Sequence, residues 1–141
     1  MEEALWAFLE RHLKSIYDGD PEGYKAITHE ELSLYEWFVT PHRLDGLPFH
    51  LFMTERQWAT RGRPYRVDLL ERRLQLYGDV AIFSYTLLLT VEEEGGLRHT
   101  AVNESRVAVR FPEGWKVVHR DHPALHRSPE GGRGVDASPD P

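Results

Sequence analysis

No cysteine occurs among the 141 residues. Disulfides, thiolate nucleophiles and thiolate metal sites are therefore excluded, and the composition suits a reducing compartment, so the expected location is cytoplasmic. Long hydrophobic runs are missing as well: none approaches the roughly 18 residues that a membrane-spanning helix requires. The opening MEEALWAFLERHLK carries acids where a secretory signal would carry bases. The sequence thus predicts a protein neither exported nor embedded in a membrane. Excess positive charge is also absent, since 17 Lys and Arg face 23 Asp and Glu for a net charge of −6. Nucleic acid is not an expected partner, because its binding draws on clustered bases that displace counterions. No motif asks for a cofactor.

What is present is ordinary globular material, 40% hydrophobic and 28% charged, with four Trp as bulky core or pocket formers. The length suits one domain with a real core. From residue 127 the chain reads RSPEGGRGVDASPDP, too poor in apolar groups to offset the entropy of ordering it. The expected organisation is a single domain over 1–126 and a disordered tail over 127–141.

Leu5, Phe8, Leu9, His12, Leu13 and Ile16 recur at three- and four-residue spacing, which predicts an amphipathic helix over 2–17. Gly19 suits a left-handed helix end, and Asp20-Pro21 reads as an N-cap followed by Pro at the first helical position, opening a short helix over 21–27. Residues 31–37 alternate as a short strand; Pro41, His42 and Gly46 mark a loop; Pro48 opens a third helix over 48–58. Beyond the break at 62–64 the period becomes two, in four runs over 65–77, 80–92, 97–111 and 115–122, separated by the turn signals Gly78-Asp79, Gly95-Gly96 and Pro112 to Gly114. The pattern predicts an α+β domain: three N-terminal helices packed on one curved, antiparallel-rich sheet.

Along 80–92 one strand face reads Ala81, Phe83, Tyr85, Leu87, Leu89, Val91, and the other Val80, Ile82, Ser84, Thr86, Leu88, Thr90. Helices cover only one side of such a sheet, so a second largely apolar face asks for a partner, and the expectation is a homodimer or higher homo-oligomer.

Three blocks, LSLYEWFVTPHRLDGLPFHLFMTE (32–55), RLQLYGD (73–79) and NESRVAVRFPEGWKVVH (103–119), resemble in order and spacing the association (hub) domain of calcium/calmodulin-dependent protein kinase II. The resemblance covers about 2–123. It implies the cone-shaped nuclear-transport-factor-2-like fold, a superfamily that also holds SnoaL-like cyclases, isomerases, dehydratases and binding-only proteins, so the fold alone selects no activity. These residues hold no glycine-rich, HRD or DFG kinase motif, so the likeness is to the hub standing alone. That family lines a small-carboxylate pocket with a His, a Trp and three Arg. Carried over, the His falls on His50, the Trp on Trp58 and one Arg on Arg106, while the other two Arg positions fall on Thr86 and His122. The resemblance therefore implies His50, Trp58, Arg106, Thr86 and His122 around a small anionic ligand, and Glu104, beside Arg106 on its strand, completes the expected ligand set.

Glu104 and Arg106 stand two apart on one predicted strand and share a face, where they either organise an anion pocket or satisfy one another as a structural ion pair. Glu36, ending the first strand, or a pocket His is the candidate catalytic base of an alternative reading, a SnoaL-like isomerase, cyclase or dehydratase; the competing role of Glu36 is a structural carboxylate, since no paired oxyanion donors are legible. His119, His122 and His126 crowd the last strand with Asp121, but the spacing matches no closed zinc pattern, so no metal site is expected and His119 reads as a hydrogen-bonding residue. Glu92 to Glu94 beside Gly95-Gly96 reads as a solvated turn.

Overall fold

The computed structural model describes residues 1–36, 40–48, 60 and 62–122, with backbone alone at 36, 40, 41 and 122. The first helix, α1, spans Glu2–Tyr17 and buries Leu5, Phe8, Leu9, His12 and Leu13 of the predicted stripe together with Trp6, while Ile16 is half-buried. It ends where Gly19 adopts φ 67°, a left-handed conformation that glycine enters without penalty. Asp20 then caps α2, Pro21–Ala26, accepting a 3.0 Å hydrogen bond from the Gly23 amide.

Six strands follow: β1 Thr28–Glu36, β2 Thr40–Asp45, β3 Tyr65–Tyr77, β4 Val80–Glu93, β5 Gly96–Phe111 and β6 Gly114–His122. They form one open sheet in the order β2-β1-β6-β5-β4-β3. Every neighbouring pair is antiparallel except β1 and β6, which run parallel. The four long runs of alternation thus become β3 to β6, each within one residue of its expected bounds. No helix among the described residues is long and apolar enough to cross a membrane.

The expected loop at 41–46 is instead the strand β2. Pro41 and Gly46 are turn signals in sequence, but β2 is an edge strand, where a proline forfeits no inter-strand bond that matters, and Gly46 donates to the Leu32 carbonyl at 2.7 Å. The strand expected at 31–37 begins earlier, at Thr28. The expected third helix is entered at Leu47 and Pro48; its remainder lies outside the described residues, as does the tail.

Helix α1 lies in the concave face of the sheet. Trp6 meets Phe83 and Tyr85 edge-on, with ring centroids 5.2 and 6.1 Å away. Ala81, Phe83, Tyr85, Leu87, Leu89 and Val91 of β4 are all buried beneath it, while the alternate residues of β4 are only half-buried. Two irregularities shape this surface. In β3 the register slips between Leu70 and Arg73 around Glu71, whose φ of 51° makes it a non-glycine residue in the left-handed region. The bulge swings Arg72 over the Trp6 ring at 5.0 Å and within 3.6 Å of Glu3. In β6 the register with β5 slips between Val107 and Ala108, whose partners are His119 and Val117.

Candidate functional site

The deep end of the concave face is polar. On β5 the period of two puts Glu104 and Arg106 inward, as expected, and register brings Tyr85 of β4 opposite Glu104 and Arg120 of β6 opposite Arg106. From above, α1 lowers His12 onto this group, and Tyr24 of α2 packs against the His12 ring at 4.6 Å. All six side chains are buried, Arg106 to 1% and His12 to 0% exposure.

The hydrogen bonds form a chain. Arg106 donates from Nη1 to Glu104 Oε1 at 2.5 Å and to the Tyr85 hydroxyl, and Tyr85 donates to Glu104 Oε1 at 2.9 Å. Arg106 Nε–H donates to His12 Nδ1 at 3.2 Å, and His12 Nε2 lies 2.9 Å from Thr28 Oγ1. Arg120 Nη2 stands 4.0 Å from Glu104 Oε2, so one carboxylate faces two guanidinium groups. Burial raises the Tyr85 pKa well above the usual tyrosine value, assisted by the Glu104 charge against the opposing effect of Arg106. Burial alone would lower the pKa of Arg106, but Tyr85 and Glu104 outweigh it and the net shift is upward. At neutral pH the cluster is thus a protonated phenol and a permanently charged guanidinium, groups that donate hydrogen bonds and do not accept protons.

Of the expected ligand set, Glu104 and Arg106 come together here. Thr86 does not: it occupies the opposite face of β4, where its hydroxyl donates to Asn103 Oδ1 at 2.7 Å. The reason is parity, since Thr86 neighbours Tyr85 and adjacent strand residues project to opposite faces. His50 and Trp58 lie outside the described residues, as do the side chains of Glu36 and His122; the backbone pairs Glu36 with His122 at the ends of β1 and β6. His119 turns outward, 2.7 Å from Ser33 Oγ and edge-on to Tyr35. Among the described residues no group of three His, Asp or Glu side chains is arranged to hold a metal ion. Glu93 of the acidic turn pairs with Arg98 at 2.7 Å.

Arg120, Tyr85, His12 and Tyr24 are the members that the sequence pattern does not assign. His12 and Tyr85 stand on the expected inner stripes, where periodicity alone reads as packing. Arg120 was hidden by the β6 bulge: strict alternation from Val117 sends 119 and 121 inward, whereas the inserted residue reverses the parity and buries Arg120.

A helix cradled by an open, curved six-stranded sheet is the nuclear-transport-factor-2-like fold. Its family follows from the sequence: the model of the calcium/calmodulin-dependent protein kinase II association domain matches residues 1–131, and the chain belongs to that family. Solved structures agree on the fold. The association domain of C. elegans calcium/calmodulin-dependent protein kinase II superposes with a TM-score of 0.78 at 20% identity, covering 87% of this chain and 95% of that one. The hub of the S. rosetta kinase gives 0.75 at 24% identity, with the same coverage of 87% and 95%. A nuclear transport factor 2-like superfamily protein of Salmonella enterica gives 0.68 at 21% identity, covering 92% and 94%.

Proposed function

We propose that this chain is a self-assembling association module, a homodimer or higher homo-oligomer, whose concave face holds a small anion beside Arg106. Assembly rests on one observation above all. The inward face of β4 is already buried by α1, yet the outward face still presents Val80, Ile82 and Leu88 only half-buried, flanked in register by Val109 and Val107 of β5. Helix α1 covers only the inward face, and a second copy is the occupant that family membership supports for the outward one.

The anion reading rests on Arg106. Its Nε and Nη1 are engaged, while Nη2 makes no hydrogen bond to a described residue, so one edge of a rigid, always-charged donor fork remains for a ligand oxygen. Carboxylates and inorganic phosphate are the matching ligands.

Native mass spectrometry at low micromolar concentration should give at least twice the 16.4 kDa of one chain. Ile82→Lys or Val107→Lys should then yield a folded species of lower mass, and a wild-type monomer would refute assembly. Calorimetric titration with acetate and phosphate tests the second half: saturable heat in the wild type, lost in Arg106→Lys, is expected.

A further inference from the structure

The hydrogen bonds around Arg106 fix more than its own position. Arginine has only donors, so the 3.2 Å contact between Arg106 Nε and His12 Nδ1 has one sense: Nδ1 accepts. The proton of the neutral ring therefore sits on Nε2, which donates to Thr28 Oγ1 at 2.9 Å. Tyr24 packs on the ring, and Ser15, one turn along α1, donates to the His12 carbonyl at 2.7 Å, so both the ring and its backbone are held. We infer that His12 is a positioning residue: its neutral Nε2–H tautomer anchors the Nε edge of Arg106 and thereby fixes the direction of the Nη2 edge.

The need for such an anchor follows from the geometry of the fork. Glu104 and Tyr85 both contact Nη1, so without His12 the guanidinium is held at a single corner and can swing about it. Two contacts on separate nitrogens fix the plane and leave one edge with a defined direction. The anchor must also be uncharged and must accept. A lysine would repel the guanidinium, and a carboxylate would compete with the incoming anion for it. A neutral imidazole sandwiched between a tyrosine and a threonine does neither. His12 comes from α1, whereas Glu104 and Tyr85, which bond Nη1, stand on the sheet, so the aim of the arginine depends on how α1 docks.

This inference rests on the reading that Arg106 receives an anion, and the test separates the two. Asparagine places an amide oxygen where Nδ1 stands, whereas glutamine reaches the position of Nε2 and leaves Arg106 Nε without an acceptor. His12→Asn should keep the affinity for acetate or phosphate within about threefold of wild type, and His12→Gln should weaken it about tenfold or more, as loss of an orienting partner does elsewhere. Thermal unfolding of the two variants should be similar, which separates aim from stability. Equal affinity in both variants, whether high or low, would overturn the inference. Nitrogen-15 NMR of the wild-type ring provides an independent arm: a hydrogen-bonded, unprotonated Nδ1 together with a slowly exchanging Arg106 Nε–H is expected, and a protonated Nδ1 would overturn the assignment. If the wild type takes up neither probe, the anion reading fails, and the His12 tether is judged by that spectrum alone.

Discussion

Removing the Glu104 charge is the sharpest perturbation of the buried cluster. Its carboxylate lies 2.5 Å from Arg106 Nη1 and 4.0 Å from Arg120 Nη2, with both partners almost wholly excluded from water. At an effective dielectric of about 20, a single unit-charge pair at 4 Å attracts by about 4 kcal/mol, and the closer pair by more. Desolvating the ions cancels much of this gain, so the intact cluster contributes little net stability. Glu104→Gln is different, because it preserves shape and an acceptor oxygen yet removes the negative charge that two buried guanidinium groups share. Breaking a buried pair from one side typically costs 3–5 kcal/mol, and about 3 kcal/mol is expected here. Arg106→Met, which strands the carboxylate partly, should cost about as much. The double variant should then cost less than the sum by at least about 2 kcal/mol, since each single change inflicts a penalty that the other relieves. Urea unfolding followed by tryptophan fluorescence, at one fixed protomer concentration because assembly couples to stability, supplies the values. A coupling below about 0.5 kcal/mol would refute the reasoning and mean that water or another counter-charge screens the pair.

Other outcomes follow from the same structure. Below about pH 10 both folded and unfolded chains hold the Tyr85 proton; above it only the unfolded chain releases it, so stability should fall as pH rises, and Tyr85→Phe should flatten that fall in alkaline unfolding curves. Trp6→Ala should cost about 3–5 kcal/mol in urea unfolding, since Trp6 is 1% exposed and wedged between Phe83, Tyr85 and Arg72; a cost under about 1 kcal/mol would mean α1 docks without it. Glu71→Val should destabilise by about 1–2 kcal/mol because a β-branched residue resists φ 51°, whereas Glu71→Gly should not; equal effects would count against the bulge.

The sequence disclosed most readily what periodicity controls. Alternation located β3 to β6 and the inner face of β4, and the 3.6-residue stripe located α1, because burial on one face is written in every second or every third to fourth residue. Glu104 and Arg106 were legible for the same reason. Thr86 does not share the face of Glu104 and Arg106: its place in the expected set comes from ungapped likeness, whereas parity sets it back to back with Tyr85. Arg120 was missed because a bulge is a one-residue insertion with no mark of its own, yet it reverses the face of everything after it. His12 was visible as a stripe residue, but its role depends on an arginine 94 positions away, and no local pattern encodes such a distance. The edge strand β2 was lost to its own proline, a residue that reads as a breaker everywhere except at the rim of a sheet.

The parallel pairing of β1 with β6 carries a consequence for how the chain assembles. Every other sheet contact joins strands adjacent in sequence, but Thr28 faces Val117, a residue made 89 positions later. At roughly 5–20 residues per second, synthesis leaves the β1–β2 hairpin without its second neighbour for about 4–18 s. Through that interval one flank of β1 offers unpaired amides and carbonyls, while β3, β4 and β5 can zip together as they emerge. The last strand inserts between the two prepared halves, and because β6 also brings in Arg120, the ionic cluster is completed only in the step that makes the sheet continuous.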